Sequence, residues 1–117
     1  MQYLFIVNDG PYGNERAYNA FRLAMSIQKV TEEAEIIISL IGDGVVNAIN
    51  GQNTPNGFYN IGRMLKGILI KNGKVKLWGS CMDARGLSME MMIEGTERSN
   101  MDELANLSIT ADKVFVF

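Results

Sequence analysis

"EIIISLIGDG", Glu35 to Gly44, is the stretch on which the fold turns. From Ile36 to Ile41 only Ser39 interrupts a run of apolar, mostly β-branched residues. A strand with one face in water alternates apolar and polar side chains, whereas a parallel strand covered by helices on both faces does not need to. The run therefore reads as a buried parallel strand, and Gly42-Asp43-Gly44 ends it in a loop.

Toward the N-terminus, Gln2 to Val7 is a second β-rich segment, and Asn8 to Gly13 is a loop. Asn14 is a good helix cap with Glu15 in the first turn, and Ala17, Ala20, Phe21, Ala24 and Ile27 recur at helical spacing. Toward the C-terminus, a short apolar stretch to Ile49 has helical character, and "NGQNTPNG", Asn50 to Gly57, is a loop. That loop is long enough to act as a lid or subunit contact, or it is an ordinary surface connection. Phe58, Ile61, Leu65, Ile68 and Leu69 mark one face of a second helix, which Asn72-Gly73 ends. "KVKLWGS", Lys74 to Ser80, is the next strand, and the pattern from Arg85 through Met92 fits a helix starting near Asp83 to Gly86. Asn100 can cap a last helix carrying Met101, Leu104, Ala105 and Leu107. "DKVFVF" closes the sequence as a strand whose apolar character places it inside the sheet.

Strands alternating with helices give an α/β class: a three-layer αβα single domain, residues 1–117, with a mostly parallel sheet and right-handed crossovers. In such sheets ligands bind beyond the carboxyl ends of the strands. Three loops qualify: Asn8-Asp9-Gly10, Gly42-Asp43-Gly44 and Gly79-Ser80-Cys81.

Composition narrows the chemistry. The chain has 47% hydrophobic and 21% charged residues, which is globular composition, and a formal net charge of -2. Its eleven Lys and Arg are scattered, so neither a nucleic-acid partner nor a membrane partner is expected. "YLFIV" is too short for a signal-peptide core, and a single cysteine allows no disulfide within the chain, so a reducing cytoplasm is the expected compartment. There is no histidine, which removes Cys-His and Ser-His-Asp catalysis and the ordinary zinc sets; no metal and no cofactor is expected. Asn8 to Gly13 lacks the glycine spacing and lysine of phosphate loops. Met82, Met89, Met91 and Met92 read as adaptable packing surface.

The one cysteine, Cys81, lies between a strand and a helix, where helix N-terminal amides favour thiolate. Arg85 adds positive charge and Asp83 opposes it, while Gly79 and Ser80 leave the sulfur accessible along the backbone. The alternative is an inert, buried small hydrophobe. Asn8, Asp9, Gly10, Asp43 and Gly44 are candidate pocket-lining residues, and Asp9 and Asp43 equally fit turn residues bonding their own backbone.

The blocks "NDGPYGNERAYNAFRLA", "IGDGVVNAINGQNTPNGFYNIGRML", "WGSCMDARGL" and "NMDELANLSITADKVFVF", in this order and spacing, resemble the DsrE/DsrF-like family of small sulfur-relay proteins over nearly the whole chain. The resemblance implies a compact α/β fold, assembly into homo- or hetero-oligomers such as trimers and hexamers, and a cysteine after a central strand that accepts persulfide sulfur. Cys81 matches that position. It implies a sulfur donor or acceptor protein as partner. A non-catalytic small-ligand-binding or assembly module of the same fold is the alternative.

Overall fold

The computed structural model describes residues 1–54 and 59–117. Five strands, β1 (Gln2–Val7), β2 (Glu35–Leu40), β3 (Lys74–Trp78), β4 (Glu97–Ser99) and β5 (Lys113–Val116), form one sheet in the order β4-β3-β2-β1-β5. Every pairing in it is parallel. The chain steps from β1 to β4 in one direction, then crosses back over the sheet to β5. Right-handed crossovers put the return connection on the opposite face, which gives three layers.

On one face pack α1 (Arg16–Val30) and α2 (Ile61–Ile70), together with a 3-10 stretch Gly42–Ala48. The main core lies here, with Phe5, Val7, Phe21, Ile36, Ile38, Leu40, Leu65, Ile68 and Leu77 among its buried members. Ala17, Ala20, Phe21 and Ala24 are the buried positions expected of α1, and Ile61, Leu65 and Ile68 those of α2. The small alanines of α1 let it lie close to the sheet. Asn72, at φ 65, and Gly73 end α2, with the Gly73 N–H donating to the Ile68 carbonyl. On the other face α4 (Met101–Thr110), capped by Asn100 Oδ1 accepting from Glu103 N at 2.9 Å, buries Leu104 against Leu4 and Ile37.

Several sequence expectations need correction. A short α3 spans Gly79–Ala84, so the helix begins four residues before the earliest expected start and Gly79-Ser80 belongs to it rather than to β3. Arg85 through Met92 is not a helix. Gly86 sits at φ 66, and the Gly86 and Leu87 N–H groups donate back to Asp83 and Met82. Those bonds and that left-handed glycine close α3. A single 3-10 turn, Met89–Met91, follows.

β5 is an edge strand, not an interior one. Phe115 and Phe117 face the main core and stack on Phe5 at 5.0 and 6.3 Å, while Val114 and Val116 stay 43% and 67% exposed. The short β4 has no counterpart in the expected elements. α1 starts at Arg16, with Asn14 Oδ1 accepting from Arg16 N at 2.9 Å and Glu15 at the cap rather than in the first turn. Phe58 and the 55–57 part of the expected loop lie outside the described residues.

Candidate functional site

Cys81 is the third residue of α3 and half-buried against the main core. β3 delivers it: the strand ends at Trp78, and Met82, fully buried, anchors the first turn of α3 to the core. The sulfur meets the loop that follows β2, the strand next to β3, where the Gly42 N–H donates to Cys81 Sγ at 3.1 Å. Gly42 has φ +55, a left-handed conformation that glycine adopts without the steric penalty of a Cβ. An amide pointing at sulfur complements negative charge on it.

Gly44 fixes this loop. A Cβ there would collide with the Val7 carbonyl oxygen and lie 3.0 Å from its carbon, so only glycine lets the 3-10 stretch pass over the end of β1. Asn47, completely buried, ties the same stretch down through Nδ2, which donates to the carbonyls of Asp9 at 2.8 Å and Gly44 at 2.9 Å. The sequence pattern singles out the loop Gly42-Asp43-Gly44 and takes Asp43 and Gly44 as its lining residues, but it gives Gly42 no contact with the sulfur and leaves Asn47 aside. The signal for Gly42 is the G-x-G directly after a strand; a lone buried Asn has no comparable signature.

Arg85 does not reach the sulfur by any hydrogen bond among the described residues. Its Nη2 and Nε donate to Asp43 Oδ1 at 2.7 and 3.3 Å, and its Nη1 donates to the Cys81 carbonyl at 3.0 Å. Arg85 therefore clamps the loop after β2 to α3, and its charge is matched by Asp43. Asp83, expected to oppose thiolate, is itself neutralised: Arg98 on β4 grips both of its oxygens at 2.8 and 3.1 Å. Those hydrogen bonds hold the Asp83 carboxyl below its ordinary value and raise Arg98. The Arg98 guanidinium lies over Gly79, where a Cβ would come within 2.5 Å of it. Gly79 is thus buried under the Arg98 side chain, while Ser80 is exposed beside the thiol.

The remaining candidates stand apart from the cysteine. Asn8 donates through N and Nδ2 to the Phe117 carbonyl, closing the gap between β1 and β5. Asp9 pairs with Arg16 at 3.2 Å. Gly10 approaches the Asp43 carbonyl, so it touches the cysteine's surroundings only through Asp43. Among the described residues no group of three or more His, Cys, Asp or Glu is placed to hold a metal ion, and no helix is long and apolar enough to cross a membrane.

The half-buried thiol has one backbone donor and is flanked by two matched ion pairs, and among the described residues no general base is in hydrogen-bond contact with it.

Comparison with known proteins agrees with this geometry at the level of fold. The sequence model of the DsrE/DsrF-like family matches residues 1–117. Protein YchN of Escherichia coli strain K12 is 37% identical over 118 residues, covering 100% of both chains. The crystal structure of the E. coli ychN protein superposes with a TM-score of 0.91 at 36% identity over 100% of each chain. A protein of unknown function from Methanobacterium thermoautotrophicum, MTH1491, shares the fold with a TM-score of 0.81 at 10% identity, over 99% of this chain and 98% of that one.

Proposed function

The chain belongs to the DsrE/DsrF-like family, and from that premise we propose that it is a sulfur-relay protein carrying sulfane sulfur as a persulfide on Cys81. The observation that carries this reading is the Gly42 amide directed at Sγ at 3.1 Å. The Cys81 thiolate attacks the outer sulfur of a donor persulfide. The donor's S–S bond breaks, its thiolate leaves with the electron pair, and a Cys81 persulfide forms with no net oxidation. The same Gly42 N–H then faces the inner sulfur of the product. Exposed Ser80 lies beside the thiol, and Arg85 holds the loop in place through Asp43. Donor and acceptor are cysteines of partner proteins in a reducing, cytoplasmic setting.

A second reading, an assembly module of the same fold, is favoured by a different observation. Val114 and Val116 lie beside Leu4 and Ile6 on the α4 face of edge strand β5 and remain exposed, as does Ile109 on α4 at 80%. An exposed apolar edge of this kind suits pairing with another copy, in a homo-oligomer such as a trimer or hexamer. The two readings are compatible, since an oligomer can carry the thiol.

The test is incubation of the native protein with a low-molecular-weight persulfide, read by intact mass. The relay reading expects a gain of one sulfur that is lost on reduction and absent in Cys81→Ser. A thiol that takes up no sulfur removes the relay and leaves the assembly reading.

A further inference from the structure

Away from the cysteine, a cavity of about 290 Å³ opens between the N-terminal turn of α2, the loop after β1 and the segment after the 3-10 stretch. Its polar wall includes Tyr12, Asn50, Asn60, Arg63 and Lys66, and Ile93 lies on its apolar side. Gly42, Asp43, Cys81 and Arg85 are not among its lining residues.

The wall is rich in donors that have no partner among the described residues. Arg63 and Lys66, one turn apart on α2, make no ion pair or side-chain hydrogen bond. The Asn60 oxygen is occupied by Arg63 N at 3.0 Å, which leaves its amide nitrogen free. Tyr12 Oη accepts from Ile61 N at 3.2 Å, which leaves its own proton free to donate. Two of the first backbone amides of α2 are thus already used, and the site is built from side chains. No carboxylate lines the cavity. Glu94 shares an adjoining groove with Lys66 but does not come within ion-pair distance of it.

The arrangement is preformed. Tyr12 is held at φ 69, a costly conformation for a bulky side chain, by its bond to Ile61 and by stacking on Tyr59 at 5.6 Å. The helices beside it are basic: α1 and α2 carry Arg16, Arg22, Lys29, Arg63 and Lys66 and no Asp or Glu, in a chain of net charge -2, although Asp9 pairs with Arg16 and Glu15 and Glu94 lie nearby. Segregation of this kind draws an anion toward that face.

We propose that this cavity binds a small phosphate monoester, with Arg63 and Lys66 clamping the phosphate and Tyr12, Asn50 and Asn60 meeting the remainder. A phosphate matches a guanidinium fork beside a point-charge ammonium. The volume lies at the lower limit of ligand pockets, roughly 300–1,000 Å³, so a sugar phosphate fits better than a dinucleotide. This inference does not rest on the sulfur chemistry of Cys81, and either can fail without the other.

The experiment is a titration of the full chain with ribose 5-phosphate, inorganic phosphate and ribose, followed by amide NMR shifts and calorimetry at about 150 mM salt, where surface attraction is screened beyond about 8 Å. The expected result is saturable binding of ribose 5-phosphate at one site per chain, with shifts centred on Tyr12, Gly62 and Arg63, weaker binding of inorganic phosphate and none of ribose. Arg63→Ala weakens binding about tenfold or more, since charge-assisted hydrogen bonds discriminate at that level, and Lys29→Ala leaves it unchanged. Arg63 is exposed, so its loss does not disturb the core. Absence of saturation at about 10 mM, far weaker than a micromolar site, overturns the proposal. So does equal binding by Arg63→Ala, or shifts spread evenly over every basic residue.

Discussion

Replacing Gly44 by alanine tests the mechanical link between β1 and the cysteine. The new Cβ would be pressed against the Val7 carbonyl, with 3.0 Å to its carbon and 3.6 Å to the Asn8 carbon, where ordinary contact is 3.4–4 Å. Both sides of this contact are main chain, so no side chain can rotate away. The 3-10 stretch must retreat by about an ångström, an overpacking displacement that costs about 1–3 kcal/mol. The retreat also strains two bonds made by the residue itself, Gly44 N to Ile41 O at 2.8 Å and Asn47 Nδ2 to Gly44 O at 2.9 Å, each worth about 1 kcal/mol. The sum is about 3–5 kcal/mol. With a urea slope between about 1 and 3 kcal/mol/M, the unfolding midpoint falls by about 2 M. Because Gly42 moves with the stretch, the amide leaves Sγ, and sulfur uptake by Cys81 from a low-molecular-weight persulfide slows at fixed pH. Gly13→Ala is the internal control, since nothing lies within 4 Å of its Cβ position; its midpoint should stay within about 0.5 kcal/mol of the parent. A Gly44→Ala protein with the parent's midpoint and rate of sulfur uptake would refute the reasoning.

Two further predictions concern stability. Asn47→Ala strips the donors from the Asp9 and Gly44 carbonyls and also removes an unpartnered buried oxygen, so we expect a net loss of about 2 kcal/mol in urea unfolding; a loss below about 0.5 kcal/mol contradicts it. Glu103 is held below its ordinary value by the Ser99 hydroxyl and the Lys76 ammonium, and Asp83 by Arg98, so both carboxyls are depressed in the folded state. Their stabilisation is complete above the unfolded values, about 3.9 for Asp and 4.3 for Glu, and is lost as pH falls through the depressed folded ones. The urea midpoint should drop between about pH 5 and pH 3, less steeply in Glu103→Gln. A midpoint that rises on acidification, or an unchanged slope in Glu103→Gln, counts against these assignments.

Most of the elements were legible because each reports its own burial. Ile36 to Ile41 shows both faces of β2 covered, Ala17 to Ala24 shows the packed stripe of α1, and Asn100 shows the start of α4. The α3 boundary was less accessible. Gly86 is as much a stop for a preceding helix as an entry to a following one, and only the bonds from residues 86 and 87 to Asp83 and Met82 decide between them. Cys81 could be placed after a strand from the sequence, but its hydrogen-bond donor could not, since Gly42 lies 39 residues away.

The sequence alone therefore determined the α/β class, the parallel character of the central strands and the location of the one thiol at a strand's carboxyl end, because these follow from local periodicity and turn chemistry. The tertiary structure alone decided that β5 is an edge, that Arg85 serves Asp43 rather than the sulfur, and that Arg98 neutralises Asp83. An apolar strand looks the same at the edge of a sheet as at its centre when one face is packed by Phe115 and Phe117. Ion pairs spanning 42 and 15 residues are set by the order of strands, and a local pattern carries no record of that order.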